Sequence, residues 1–269
     1  MLNEMENNKK FFKVGNKVTF RSNYDGLEYD LEKGCVYSME IDKYTDETWL
    51  EKRDDLKLPN VVYSTPQDNK FVEKILKAYK FNESGTMGVM LSGLKGSGKT
   101  MLAKIIANAS NLPIITIDNY VHPSYLNKTL KKLNTCEICI LFDEVDKACK
   151  SKNYDDDYLL KVLDGVDTVG KKMIIFTANE ESGINEYMKD RCSRVRYWKK
   201  FKEVPVSLIT SVAEDKLNDK SKVKPLVDFI KGNFRCISFD NIVCFIDEVN
   251  ANPNDSFEEL FADMNLTRK

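Results

Sequence analysis

Gly93-Leu94-Lys95-Gly96-Ser97-Gly98-Lys99-Thr100 satisfies the pattern G-x-x-x-x-G-K-[ST]. The stretch follows an apolar run at 88–91 and opens a helix-patterned segment at 99–109, and this strand-to-helix context turns the pattern into a site. The chemistry asks for these residue types. Glycines let backbone N–H groups curl round phosphate oxygens at the positive end of the following helix. Lys99 is placed to reach the outer phosphates of a nucleotide, Thr100 to offer its hydroxyl to Mg²⁺, and Met101 completes the binding stretch.

Outward from this loop, strand and helix patterns alternate. Apolar runs at 88–91, 114–117, 138–142 and 173–176, with a weaker one at 194–198, suit strands covered on both faces. Helical spacing fills 99–109, 124–133 and 156–163, and crossovers of this length imply parallel pairing. The expected fold class is therefore α/β, a P-loop NTPase parallel sheet.

The run Ile138-Cys139-Ile140-Leu141-Phe142 ends in Asp143-Glu144, and a buried strand delivers such a pair to the ligand edge of the sheet. Asp143 is read as the acid that holds magnesium through its water shell. Glu144 is read as the group that orients and polarises an attacking water. Asn179, at the polar end of the next run, can hydrogen-bond that water or the γ-phosphate without adding charge. Three of only seven arginines, Arg191, Arg194 and Arg196, fall within six positions of a chain that otherwise prefers lysine. A rigid, permanently charged fork suits stabilisation of charge on a transferred phosphoryl group. For Arg196 an ion-pair cluster at a strand edge is an equal reading.

The flanks read differently. Residues 1–8 form a polar tail, and 9–62 a small β domain whose alternating positions include Phe12, Val14, Val18 and Phe20, then Cys35, Tyr37, Met39 and Ile41. An α/β ATPase-type domain spans 63–200, beginning with an apolar helical stripe at 71–79. A helical lid follows at 201–255 and a tail at 256–269, whose stretch from Ser256 to Leu266 reads as a short helix or a docking tail, with a frayed end favoured. With 41 basic against 42 acidic residues the net charge is −1, which argues against a broad polyanion-coating surface. No run approaches the roughly 18 apolar residues of a membrane span, and the amino terminus lacks a signal-peptide core, so a cytoplasmic chain without membrane partners is expected. Seven cysteines in such a chain are expected to be reduced, with Cys136 and Cys139 packing a core rather than holding metal. His122, the only histidine, is read as a loop residue.

In combination these residues resemble the AAA+ ATPases, and within them the AAA group proper. Gly93 to Thr100 matches Walker A, Ile138 to Glu144 Walker B, Asn179 the sensor-1 position, and Arg191 and Arg194 the paired arginines that act in trans on a neighbouring subunit's nucleotide. The phrase from Tyr158 to Val166, followed by Phe176-Thr177-Ala178-Asn179, is especially similar to the compact subgroup that includes the mitochondrial Rieske-protein translocase. The resemblance is strong over about 70–200, loose over the lid, and absent over the amino-terminal strands. It implies ATP and Mg²⁺ as ligands, hydrolysis, a hexameric or similar ring, and a macromolecular client, most naturally protein. A clamp-loader or replication-type DNA ATPase and a nucleotide-locked scaffold are the alternatives. Cys192-Ser193 stands where the family has Pro-Gly or a similar pair, and no sensor-2 arginine is assigned. Tyr120-Val121 resembles a pore loop that grips polypeptide, although both residues could equally pack under the sheet. The Lys- and Asn-rich composition would suit an AT-rich phage or bacterial genome.

Overall fold

A computed structural model describes residues 10–14, 16–21, 31–42, 44–83, 85–117, 121, 123–149, 163, 171–181, 184, 192, 194–234, 237–264 and 266. Its centre is a nine-stranded sheet in the order β1-β2-β4-β3-β6-β7-β8-β5-β9. The strands are β1 Lys10–Val14, β2 Lys17–Arg21, β3 Val36–Ile41, β4 Thr48–Arg53, β5 Thr86–Gly93, β6 Ile114–Ile117, β7 Ile138–Phe142, β8 Lys172–Ala178 and β9 Val195–Phe201. From β3 to β9 every neighbouring pair is parallel, whereas β1, β2, β4 and β3 pair antiparallel.

The period of two fixes what each face carries. Ile138, Ile140 and Phe142 of β7, with Ile174, Phe176 and Ala178 of β8, face one apolar cluster, while Cys139 and Leu141, with Met173 and Ile175, face the other. Helices α1 (Pro66–Phe81) and α2 (Lys99–Ser110) cover the second face through Val72, Ile75, Tyr79, Leu102 and Ile106. Helix α3 (Pro123–Lys132) covers the first through Leu126 and Leu130. The short α4 (Val145–Cys149) follows β7. Cys139 is fully buried and Cys136 packs against the α3-side cluster, as core cysteines should.

The strands at 10–53 were expected to form a β unit of their own. Instead β3 pairs with β6, from Val36 opposite Ile114 to Ser38 opposite Thr116, and the antiparallel strands continue the same sheet. Val18, Met39 and Leu50 belong to the cluster under α3, and the Thr129 hydroxyl donates to that of Thr48 at 3.0 Å inside it. Few inward positions per short strand supply too little apolar area for a second core, so the strands share the first.

A third cluster is the helical lid: α5 (Val206–Lys216), α6 (Val223–Asn233), α7 (Phe239–Ala251) and α8 (Phe257–Asp263). The stretch expected to fray is α8. Ser256 and Glu259 make a reciprocal capping box, and Leu260 and Phe261 are buried against Phe229 and Phe234. Most of the helix expected at 156–163 lies outside the described residues; Leu163 is helical and buried.

Candidate functional site

All five strands β5 to β9 end at one edge of the sheet, and the motif residues meet there. At the end of β5, Gly93 has φ 119°, and a Cβ on it would lie 2.1 Å from the Phe201 carbonyl oxygen, so only glycine lets the strand turn beside β9. Gly96 has φ 69° and sits under the lid, where a Cβ would meet Ser238 at 2.8 Å. The loop closes on Lys99, 5% exposed, whose Nζ donates to the carbonyls of Gly93 and Leu94, both at 2.8 Å. Burial lowers the Lys99 pKa, and the carboxylates of Asp146, Glu144 and Asp143 oppose that shift. Ser97 Oγ is buried in the same loop without a hydrogen-bond partner. A buried cation curled back on its own loop, left-handed glycines and an orphaned hydroxyl form a cradle that a phosphate group would satisfy.

Beside it, the Thr100 hydroxyl donates to Asp143 Oδ1 at 2.9 Å. Among the described residues no three His, Cys, Asp or Glu side chains stand together as a metal cluster. One carboxylate and one hydroxyl fit an ion such as Mg²⁺, which keeps waters and takes its other ligands from substrate phosphates.

Glu144, next along, has φ 51°, a left-handed conformation that costs a residue with a Cβ roughly 1–2 kcal/mol. Its carboxylate accepts from Asn179 Nδ2 at 2.9 Å and pairs with Lys147. The Lys147 and then the Asn179 hydrogen bonds hold the Glu144 carboxyl below the usual glutamate range, so it is ionised at neutral pH. Asn179 is fixed in turn, its backbone N–H donating to Asp146 Oδ1 at 3.0 Å. The structure thus brings Lys99, Thr100, Asp143, Glu144 and Asn179 together.

Of these groups Lys99, Thr100, Glu144 and Asn179 border a cavity of about 1230 Å³ between the α/β body and the lid. Lys95, Gly96, Ser97, Gly98 and Met101 line it, as do Val61, Tyr63, Phe239 and Val243 from outside the motif. Tyr63 stacks obliquely on Phe239, ring centroids 5.7 Å apart, and donates its hydroxyl to Asp215 of α5. Burial and the Asp215 carboxylate push the Tyr63 pKa up to about 12, which keeps the hydroxyl protonated as the donor. At the cap of α7 the Phe239 N–H donates to the Gly96 carbonyl at 2.7 Å, tying lid to loop. The sequence reading missed Tyr63, Phe239 and Asp146. Their spacing carries no motif, although Asp146 lies one helical turn beyond Asp143.

The remaining expected residues fall elsewhere. Arg194 precedes β9, only 9% exposed and engaged within the chain. Arg196 donates to Asn82 Oδ1 at 2.9 Å, at the end of α1. Val121 is buried in the α3-side cluster, the packing alternative of its two readings. Arg191, Tyr120 and His122 lie outside the described residues.

Residues 89–200 match the model of the "ATPase family associated with various cellular activities (AAA)". This segment is an AAA ATPase domain. The chain is 28% identical over 127 residues to the "ATPase family gene 2 protein" of Saccharomyces cerevisiae, covering 40% of this chain and 16% of that one. To the mouse "Nuclear valosin-containing protein-like" it is 30% identical over 112 residues, covering 34% and 13%. The chain therefore spans only 13–16% of these relatives' lengths. A chain solved for the "Structural Basis for Katanin Self-Assembly" superimposes with a TM-score of 0.51 at 16% identity, over 73% of this chain and 72% of that one, and so shares its fold. Among the described residues no helix is long and apolar enough to cross a membrane.

Proposed function

We propose that this chain is a ring-forming remodelling ATPase of the cytosol, coupling Mg²⁺-dependent ATP hydrolysis to work on a polypeptide client. The observation that carries the reading is the convergence at one sheet edge: Thr100 on Asp143 at 2.9 Å and Asn179 on Glu144 at 2.9 Å, beside a phosphate cradle and a cavity large enough for a nucleotide.

In this reading the 93–100 loop binds the phosphates, and Lys99 leaves the Gly93 and Leu94 carbonyls for the β- and γ-oxygens. Thr100 and Asp143 would hold Mg²⁺, which would supply positive charge to offset that of the phosphates. Glu144 and Asn179 orient the attacking water. An acid held ionised and below its usual pKa is a weak base, so Glu144 contributes mainly by placing and polarising that water. The apolar wall of Val61, Tyr63, Phe239 and Val243 receives the base.

Arg191 is the arginine that reaches a neighbour's nucleotide; Arg194, expected to act beside it, is buried and engaged within the chain. Such a contact is head-to-tail and closes into a ring when its rotation permits. The Phe239–Gly96 hydrogen bond ties the lid to the loop and Tyr63–Asp215 ties it to the segment before α1, so a change at the phosphates rotates the lid as a body. The client meets the 118–122 segment through Tyr120.

The test is to measure ATP turnover alone, with an unfolded polypeptide, and with single- or double-stranded DNA. Stimulation by polypeptide alone is expected. Stimulation by DNA alone would move the chain to the DNA-transaction class, and no basal turnover would leave the scaffold reading.

A further inference from the structure

Between the two acids of β7 and the amide of β8 lies a side chain that no motif marks. Thr177 is fully buried on β8, on the same face as Met173 and Ile175, the face against which α2 packs. Its Oγ1 donates to Asp143 Oδ1 at 2.5 Å and accepts the Glu144 N–H at 2.8 Å. One hydroxyl therefore uses both its donor and an acceptor position on the two consecutive acids. The second contact falls on the backbone of the residue with φ 51°, and a conformation of that kind persists only where its surroundings over-determine it.

We propose that Thr177 is a positioning residue for hydrolysis. It fixes the Asp143 carboxylate against Thr100 and holds the left-handed Glu144 backbone, so that the Glu144 carboxylate stays in register with Asn179, two residues after Thr177 and just past the end of β8. The proposal rests on the reading of this edge as a hydrolytic site. The residue type follows from the geometry. Valine would match the shape but leave a buried N–H and a carboxylate oxygen each short of a partner. Serine would keep both hydrogen bonds and lose only a methyl group.

The experiment compares Thr177→Val, Thr177→Ser and Thr177→Ala in the full chain, with folding checked by thermal melts. Thr177→Val is expected to lower kcat about 10- to 100-fold, the range typical when the partner that orients a metal-site ligand is removed, while the KM for ATP stays within about threefold. Thr177→Ser should keep kcat within about threefold of the wild type. A second readout needs no turnover. The extra rise in Tm that Mg²⁺ adds to ADP binding should shrink in Thr177→Val, with the rise from ADP alone unchanged. Should Thr177→Val not fold, the Ala and Ser variants differ from each other only by the hydroxyl and give the same comparison. Wild-type kcat and a full Mg²⁺ increment in Thr177→Val, or equal impairment of the Ser and Ala variants, would overturn the proposal. A wild-type chain without turnover would instead contradict the hydrolytic reading, and the Mg²⁺ increment would still decide whether Thr177 positions Asp143.

Discussion

The two halves of the sheet share one core and divide its tasks. In the parallel half, β6 to β9 with β5, every carboxyl end lies on the same edge, so short polar extensions of β5, β7 and β8 bring Thr100, Asp143, Glu144, Thr177 and Asn179 within hydrogen-bond reach. In the antiparallel half, β1, β2 and β4 with β3, successive strands end at opposite edges. Residues beyond those ends are scattered, and what the half contributes is burial: Val18, Met39 and Leu50 beneath α3. Strand direction, more than sequence pattern, decides which half can hold a site.

If the division is real, damage to the antiparallel half should cost stability and leave the chemistry of the folded fraction intact. Leu50 is fully buried in the shared cluster. Leu50→Ala should destabilise the chain by about 2–5 kcal/mol, as buried leucine deletions do, while turnover per folded molecule changes less than about twofold. Denaturant unfolding followed both by Trp49 of β4 and by Trp198 of β9 should give coincident transitions, because the strands share one core. Separate transitions would make the antiparallel strands an independent unit.

A smaller effect probes the parallel half for residues at the cleft that serve structure. Lys199 borders the cavity yet is paired with Asp68 in the first turn of α1. Burial alone would raise the Asp68 carboxyl, but the Lys199 ammonium and the Thr65 donors outweigh it and hold its pKa below the usual value. A carboxyl depressed on folding stabilises above its unfolded pKa of about 3.9, and that stability is lost as pH falls through the folded value. Lys199→Met should therefore lower Tm at pH 7 by the equivalent of about 1 kcal/mol, and the gap to the wild type should close as the pH falls below about 4. A constant gap across that range would assign the effect to packing on Phe71 and Phe201 instead.

Legibility followed the same division. The bounds of β6 and β7 coincide with the apolar patterns that announced them, because near-continuous runs rich in Ile leave little alternative. Lys99, Thr100, Asp143, Glu144 and Asn179 could be named because local motifs encode them at strand ends. Thr177 could not, since a threonine inside a strand reads as a β former and its two bonds depend on the register of β8 against β7. Tyr63 and Phe239 are 176 positions apart and meet only once the lid folds back. The joining of β3 to β6 was hidden for the same reason, because alternation reports which face is apolar and not which neighbour is chosen. The fraying expected of the last segment failed on its short length, where Phe261 finds its partners only in tertiary structure.

The most direct test of the account is Glu144→Gln, which keeps the shape and the Asn179 contact while removing the charge. ATP affinity, measured by nucleotide-induced thermal stabilisation with Lys99→Ala as the non-binding control, should remain within a few-fold of the wild type. Turnover should fall at least about 100-fold, as expected when the group that places the attacking water is neutralised. Wild-type turnover in Glu144→Gln would contradict the assignment of this sheet edge as the site of hydrolysis.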